Sequence, residues 1–204
     1  MVLLEILSKS REMFMRYGVK NLTMDDIAKE LGMSKKTIYL YVQNKSDLVL
    51  KATKAHLKQE IHVLTETKKE SPTAVEEMLQ MIEYLSVHFR EFNTVTYFDL
   101  KKYYPDSFVL VDEHRQKHIL KIIQTNIERG IGEGNYRKDI NAEIVAKMYI
   151  SSLLNLFDQQ LFPSKRFSFY EVYQQFIKHH LFGILSEKGM KRIESSPLSQ
   201  SYLI

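Results

Sequence analysis

Two lysines, a threonine and two tyrosines fall within seven residues at Lys35, Lys36, Thr37, Tyr39 and Tyr41. Ammonium and hydroxyl groups at that density suit hydrogen bonding to anionic oxygens and to the edges of bases. Lys35 could reach guanine O6 and N7 or a phosphate, and Thr37 a base edge or a thymine methyl. The hydroxyls of Tyr39 and Tyr41 suit phosphates and their rings suit sugars. Thr23 and Lys45 flank the group and fit phosphate contact, which sets register rather than sequence. Each has a plainer reading. The lysines could be solvated surface charges, Tyr39 could pack in a core behind Ile38, and Thr23 could simply cap a helix.

The elements that would carry these groups are short. Thr23 is placed to cap a helix from Met24 to Leu31, with Asp25 and Asp26 in the first turn, where carboxylates suit the helix dipole. Gly32 closes it, and Ser34 caps a second helix from Lys35 to about Tyr41. Ile27, Ala28, Leu31 and Ile38 are spaced to meet in one small core. Ahead of them, Leu3, Ile6, Leu7, Met13, Phe14 and Tyr17 form an apolar stripe that predicts a helix over 2–17, closed by Gly18. The pattern is a helix-turn-helix, whose second helix fits a major groove.

The same residues resemble the DNA-binding domain of the TetR family of bacterial transcription regulators. The resemblance rests on Phe14 to Gly18, Thr23, Ile27-Ala28, Gly32, Ser34, Thr37, Tyr39, Tyr41 and Lys45 to Leu48, and covers about the first quarter of the chain. Val42 stands where the family usually has Phe, and Lys36 where a small residue is common. The resemblance implies DNA contacts at Thr23, Lys35, Lys36, Thr37, Tyr39, Tyr41 and Lys45. It also implies a homodimer, and an effector pocket inside a carboxy-terminal helical bundle.

Composition agrees with such a fold. With 204 residues, 7 glycines, 4 prolines and no cysteine, the chain predicts long helices, no disulfides and no thiolate chemistry. The apolar run Val2–Leu4 is interrupted by Glu5 and too short for a signal peptide, and no run approaches the ~20 apolar residues that span a bilayer. The expectation is a cytoplasmic bacterial protein, held at the nucleoid through DNA and not in a membrane. Residues 1–58 hold 11 Lys and Arg against 6 Asp and Glu, whereas the remainder holds 18 against 19. The positive excess therefore lies with the helix-turn-helix, where phosphate binding would use it.

The expected fold class is all-α, about nine helices. It has an N-terminal three-helix helix-turn-helix domain over 1–47 and a C-terminal helical effector-binding and dimerisation domain over 48–204, with helix 4 continuing to about 68. Further helices are predicted from Ser71-Pro72 to about Arg90, over 93–103, from Pro105 through Ile127, over 142–161 after Asn141, and from Phe169 to about Lys188 after Ser168, with a polar tail from Ser195.

The last two helices are apolar on two sides, so one side is free to meet a second chain in a four-helix bundle. Met148, Ser152, Tyr173, Phe176, Ile177, His180 and Ile184 are the candidate interface. The alternative is a monomer with an enclosed central helix. A surplus of Met, aromatic and His residues over 78–160 supplies candidate pocket residues Met81, Tyr84, Phe98, Tyr103, His118, Met148 and Phe157, suited to an apolar or aromatic molecule. Ordinary core packing is the competing account of each.

No Gly-rich phosphate loop, cysteine or metal-like cluster points to an enzyme or a cofactor. His114 and His118, one turn apart, are two ligands at most. The expected function is a sequence-specific DNA-binding regulator, a ligand-responsive repressor that binds a palindromic operator as a homodimer and is released by a small lipophilic effector. The alternative is a DNA-tethered helical interaction protein that recruits protein partners and senses no small molecule.

Overall fold

A computed structural model of the chain describes residues 2–90 and 92–196. Among them the fold is all-α, with eleven α-helices. They are α1 (Val2–Tyr17), α2 (Met24–Glu30), α3 (Lys35–Tyr39), α4 (Lys45–Glu70), α5 (Ala74–Phe89), α6 (Val95–Tyr103) and α7 (Pro105–His114). A π-helical turn, Arg115–Ile119, precedes α8 (Leu120–Gly132), and α9 (Ala142–Asn155), α10 (Phe169–Ile184) and α11 (Glu187–Glu194) follow. Among the described residues no helix is long and apolar enough to cross a membrane. The polar tail expected from Ser195 lies, from residue 197 on, outside the described residues.

The chain divides into two compact units, one of residues 1–61 and 91–114, the other of 62–90 and 115–204. The first unit is larger than the three helices expected over 1–47, and the reason is its core. Ile6, Phe14, Ile27 and Ile38 share one hydrophobic cluster with Leu48, Val49 and Ala52 of α4, and Leu100 and Tyr104 from the α6 region pack against it. A cut at residue 47 would pass through that core.

The first unit is closed by polar contacts at the end of α1. A helix leaves its last carbonyls without intrahelical partners. Here α6 and the residues before it supply them. Thr96 Oγ1 donates to the Phe14 carbonyl at 2.6 Å and the Asn93 amide to Met15 at 2.8 Å. Beyond α1, the Asp99 carboxylate accepts from the backbone amides of Val19 at 2.8 Å and Lys20 at 2.7 Å. Gly18 makes the turn between them with φ of 80°, in the left-handed region where a side chain is strained. On the other flank, the largely covered Glu60 of α4 pairs with buried His114 of α7 at 2.7 Å. Burial pushes its carboxyl up, but the His114 hydrogen bond and the charges of His56, His114 and Arg11 outweigh that and hold it below the ordinary range.

The second unit is built around α5, α8, α9 and α10. Glu77, almost fully buried, meets Arg129 at 3.1 Å, and Arg129 also bonds Glu133 at 2.7 Å and the carbonyls of Ser71 and Pro72. The Tyr136 hydroxyl donates within the same region to Asn126 and the Ala74 carbonyl, each at 3.0 Å.

Two helices end earlier than their apolar pattern predicts. α9 stops at Asn155 rather than near Leu161, and α10 stops at Ile184 rather than near Lys188. At Leu185 the chain turns extended and forms a short antiparallel bridge with Tyr136. The Arg137 amide donates to Ile184 O at 2.9 Å and the Ser186 amide to Asn135 O at 3.0 Å. Ser186 then caps α11 by accepting from the Gly189 amide. A Cβ on Gly189 would collide with the Asn135 carbonyl, so glycine is what lets the strand-like segment lie there.

Between α9 and α10, the ring of His180 lies 4.5 Å from that of Tyr149, centroid to centroid. Its Nε2 is buried without a hydrogen-bond partner among the described residues. Burial first, and the neighbouring His179 second, push its pKa from 6.5 to about 4. The unfolded chain therefore binds this proton over an interval in which the folded chain does not. Stability is unaffected above about 6.5 and declines as pH falls from there toward about 4. We expect His180→Phe to remove that part of the decline when denaturant melts are compared across the interval; equal pH slopes in the two proteins would contradict it.

Candidate nucleic-acid interface

The helix-turn-helix is set by local caps. Thr23 Oγ1 accepts from the Asp26 amide at 3.1 Å and donates to the Asp26 carboxylate at 2.7 Å, while the Thr23 amide donates to the same carboxylate at 2.8 Å. The hydroxyl is committed to this capping box. These bonds, the hydroxyl of Thr23 foremost, hold the Asp26 carboxyl below its ordinary value. Ser34 caps α3 by accepting from the Thr37 amide at 3.1 Å, and the two hydroxyls lie 2.9 Å apart. Gly32, at φ of 62°, makes the turn between α2 and α3.

α3 is a five-residue helix whose Ile38 is fully buried. That single anchor turns the other side chains outward. Lys35 and Lys36 are exposed, Tyr39 is 46% exposed and Leu40 is 75% exposed. Lys35 pairs with Asp25 of α2 at 3.0 Å. An exposed pair of this kind contributes little to stability and is readily exchanged for a phosphate. Lys36 has no carboxylate partner among the described residues.

The two tyrosines, given one part by the sequence, differ in their surroundings. Tyr39 is the outward one, and Tyr41 is half-buried against the first unit's core. Val42, where the family pattern has Phe, is 2% exposed and fills that core as well. Behind α3, Lys51 Nζ donates to the Tyr41 carbonyl and to Asp47, each at 2.8 Å, tying α4 to the end of the recognition helix.

Lys45 also departs from its expected place. Its ammonium donates to the carbonyls of Val19 at 2.6 Å and Lys20 at 3.1 Å, and burial lowers its pKa. It holds the α1–α2 connection and is half-buried. Leu40 was not foreseen, although a signal existed. It lies two residues beyond Ile38, about 200° around a helix from the buried side. Its exposed methyls suit a thymine methyl.

Residues 6–52 match the model of bacterial regulatory proteins of the tetR family. The chain is 26% identical over 169 residues to the uncharacterized HTH-type transcriptional regulator YvaF of Bacillus subtilis (strain 168), covering 81% of this chain and 87% of that protein. It is 25% identical over 156 residues to the fatty acid metabolism regulator protein of the same organism, covering 74% and 78%. A TetR-family transcriptional regulator from Agrobacterium tumefaciens has the same fold, with a TM-score of 0.73 and 18% identity over 90% of this chain and 97% of that one. Residues 6–52 thus form a helix-turn-helix of the tetR type, and most of the chain is similar to bacterial transcriptional regulators. The family is one of regulators rather than enzymes.

The residues proposed for a TetR-family effector pocket are scattered by the fold. Met81 is buried, and Tyr84 and Phe157 are half-buried, all in the second unit. Phe98 and Tyr103 lie in the first unit, at 42% and 41% exposure, because α6 turns its buried side, Thr96 and Asp99, toward α1. His118 stands exposed on the π-helical turn and Met148 is 63% exposed on α9. Among the described residues no group of three His, Asp or Glu is placed to hold a metal ion.

Of the proposed dimer residues, Tyr173, Ile177 and Ile184 are buried in their own unit and present no surface to another chain. Phe176 and His180 are half-buried against Tyr149, Ser152 is half-buried, and Met148 is exposed.

We expect Lys36→Ala and Tyr39→Ala to weaken duplex binding, by about 1–3 kcal/mol for a base-edge contact, while leaving stability within about 0.5 kcal/mol. Tyr41→Ala should instead lower stability by about 1–3 kcal/mol through lost packing. Denaturant unfolding beside fluorescence anisotropy separates the two effects. A Tyr41→Ala protein as stable as the parent would refute this assignment.

Proposed function

We propose that this regulator is a ligand-responsive repressor that binds a palindromic operator as a homodimer and leaves it when a small lipophilic molecule binds. The observation that carries the DNA half of this reading is the outward face of α3: Lys35, Lys36, Tyr39 and Leu40, held by one buried residue, Ile38. So short a reader makes few contacts, and two copies about one helical turn apart, ~34 Å, multiply them.

A second copy is supported by an apolar stripe left on the second unit. Ile144 and Met148 of α9 are 57% and 63% exposed, and Phe182 of α10 is 47% exposed. Ser151, one turn beyond Met148, and Gly183 are small and exposed, which suits close approach. Isolated exposed apolar residues are ordinary, but Ile144 and Met148 share one face of α9 and the small Ser151 continues it at i+7, a pattern that suits an interface. Met148→Glu should give a monomer by sedimentation and a loss of operator affinity of at least tenfold, with the helical spectrum intact. A dimer that survives this substitution would place the interface elsewhere.

The effector half rests on the second unit's aromatic cluster. Phe89 of α5 meets Phe169 and Tyr173 edge-on, each at 5.0 Å, and Phe157 stacks on Phe169 at 4.8 Å. One turn before Phe89, Ser86 is 1% exposed, with a hydroxyl that has no hydrogen-bond partner among the described residues. A buried hydroxyl one helical turn from an aromatic ring fits the polar end of an otherwise apolar ligand. One relative is named a fatty acid metabolism regulator, which supports fatty acids as the first probes. A fatty acid that binds should raise the melting temperature and release operator DNA. Because release requires preferential binding to the DNA-free state, operator DNA should reciprocally weaken the fatty acid. If no lipophilic compound does either, the alternative of a regulator that works through protein partners gains the support.

A further inference from the structure

The first unit carries a cationic corner outside the recognition helix. Lys20, in the α1–α2 connection, and Lys102, near the end of α6, both stand over the ring of Tyr103, at 5.1 Å and 5.3 Å from its centroid. All three residues are exposed. Neither lysine has a carboxylate partner among the described residues. The nearest acid in the chain, Asp99, has turned its carboxylate to the amides of Val19 and Lys20. The next, Asp106, lies in the first turn of α7. Two like charges drawn to one phenol repel each other, and an anion between them relieves that repulsion.

We propose that Lys20, Lys102 and Tyr103 form a phosphate-binding extension of the DNA reader, gripping the duplex backbone beside the segment read by α3. This rests on the DNA-binding reading given above. Three features point to DNA backbone as the occupant. Lys20 lies three residues before Thr23, so the corner is continuous in sequence with the helix-turn-helix. Asp99 fixes the Lys20 backbone to α6, and Lys45 fixes it from α4 through the Lys20 carbonyl, so the cations are set on a rigid mount. Finally, Lys45 has its ammonium on two carbonyls, which commits two of its three N–H donors. Lys20 and Lys102 supply cations at that same corner. The phenol completes the site as a neutral donor; Lys20 first, and Lys102 after it, hold its pKa below the usual tyrosine value. Contacts of this kind add affinity and register without reading bases.

The test is the salt dependence of duplex binding by the full chain. Each phosphate contact contributes a slope of about −0.9 in log K against log salt. Lys20→Ala/Lys102→Ala should reduce the slope by about 2, weaken operator and random duplex by the same factor, and leave the ratio between them unchanged. Lys20→Arg/Lys102→Arg should retain the parent slope. Lys165→Ala, an exposed lysine of the second unit, serves as the control and should change nothing. Trimming the duplex ends should abolish the difference between parent and Ala variant, since the extension then has no backbone to grip. An unchanged slope in the double Ala variant, with parent binding intact, overturns this inference alone. A changed specificity ratio also overturns it, because backbone contacts carry no sequence information. A parent protein that binds no duplex at all defeats the DNA reading itself, and this inference with it.

Discussion

The end of α1 is not finished by its own sequence. Its last carbonyls, and the amides that follow them, are satisfied by a segment almost eighty residues further on, through Asn93, Thr96 and Asp99. Each such bond is worth only about 0.5–1.5 kcal/mol net, but leaving a buried amide unpaired costs about 1–3 kcal/mol. The constraint is therefore asymmetric. The helix-turn-helix can keep its entry helix closed only while α6 is docked on it. Gly18 is what allows the chain to turn at that point, and its left-handed backbone leaves the Val19 and Lys20 amides aimed at one carboxylate.

From this follows the composition of the first unit. The amphipathic stripe of α1 needs two partners, α2–α3 on one side and the start of α4 on the other, and the Ile6, Phe14, Ile27, Ile38 and Leu48 cluster gives it both. α6 and α7 then seal the polar ends, one through Asp99 and the other through the Glu60–His114 pair. The chain crosses between its two units after residues 61, 90 and 114. The first unit is assembled from two separate stretches of sequence, and the first crossing falls inside the continuous helix α4.

How much of this was legible in advance depended on whether the signal was local. Thr23, Ser34, Asn141 and Ser168 cap the helices they were expected to cap, because a cap is decided by residues three apart. Ile38 could be assigned to the core by its spacing from Ile27 and Leu31. Tyr39 and Tyr41 could not be ordered, since in a five-residue helix the packing of α4, not the helical period, decides which ring is covered. The break at Leu185 was hidden for a similar reason: the apolar pattern of α10 runs on, and only pairing with Asn135 and Arg137 ends it. The exposure of the pocket candidates was less legible still. Phe98, Tyr103, His118 and Met148 were grouped by composition, and composition does not say which side of a helix faces inward.

Charge allocation was the least readable feature and the one with most consequence for function. Lys35, Lys45 and Lys51 look equivalent along the sequence, yet the fold gives them different tasks. Lys35 rests on Asp25 at the surface, where exchange is cheap. Lys51 is shared between Asp47 and the Tyr41 carbonyl and steadies the end of α3. Lys45 is drawn to the Val19 and Lys20 carbonyls, where desolvation already lowers its pKa, so moving it to a phosphate would leave two carbonyls unmet. A net charge counts these three alike, but only a cation whose release costs little can neutralise a phosphate with net gain. The effective charge of the reader is therefore smaller than its lysine count along residues 1–58. Lys36 on α3, and Lys20 with Lys102 on the Tyr103 phenol at the α6 corner, have no carboxylate partner among the described residues, so an arriving phosphate breaks no ion pair at any of the three.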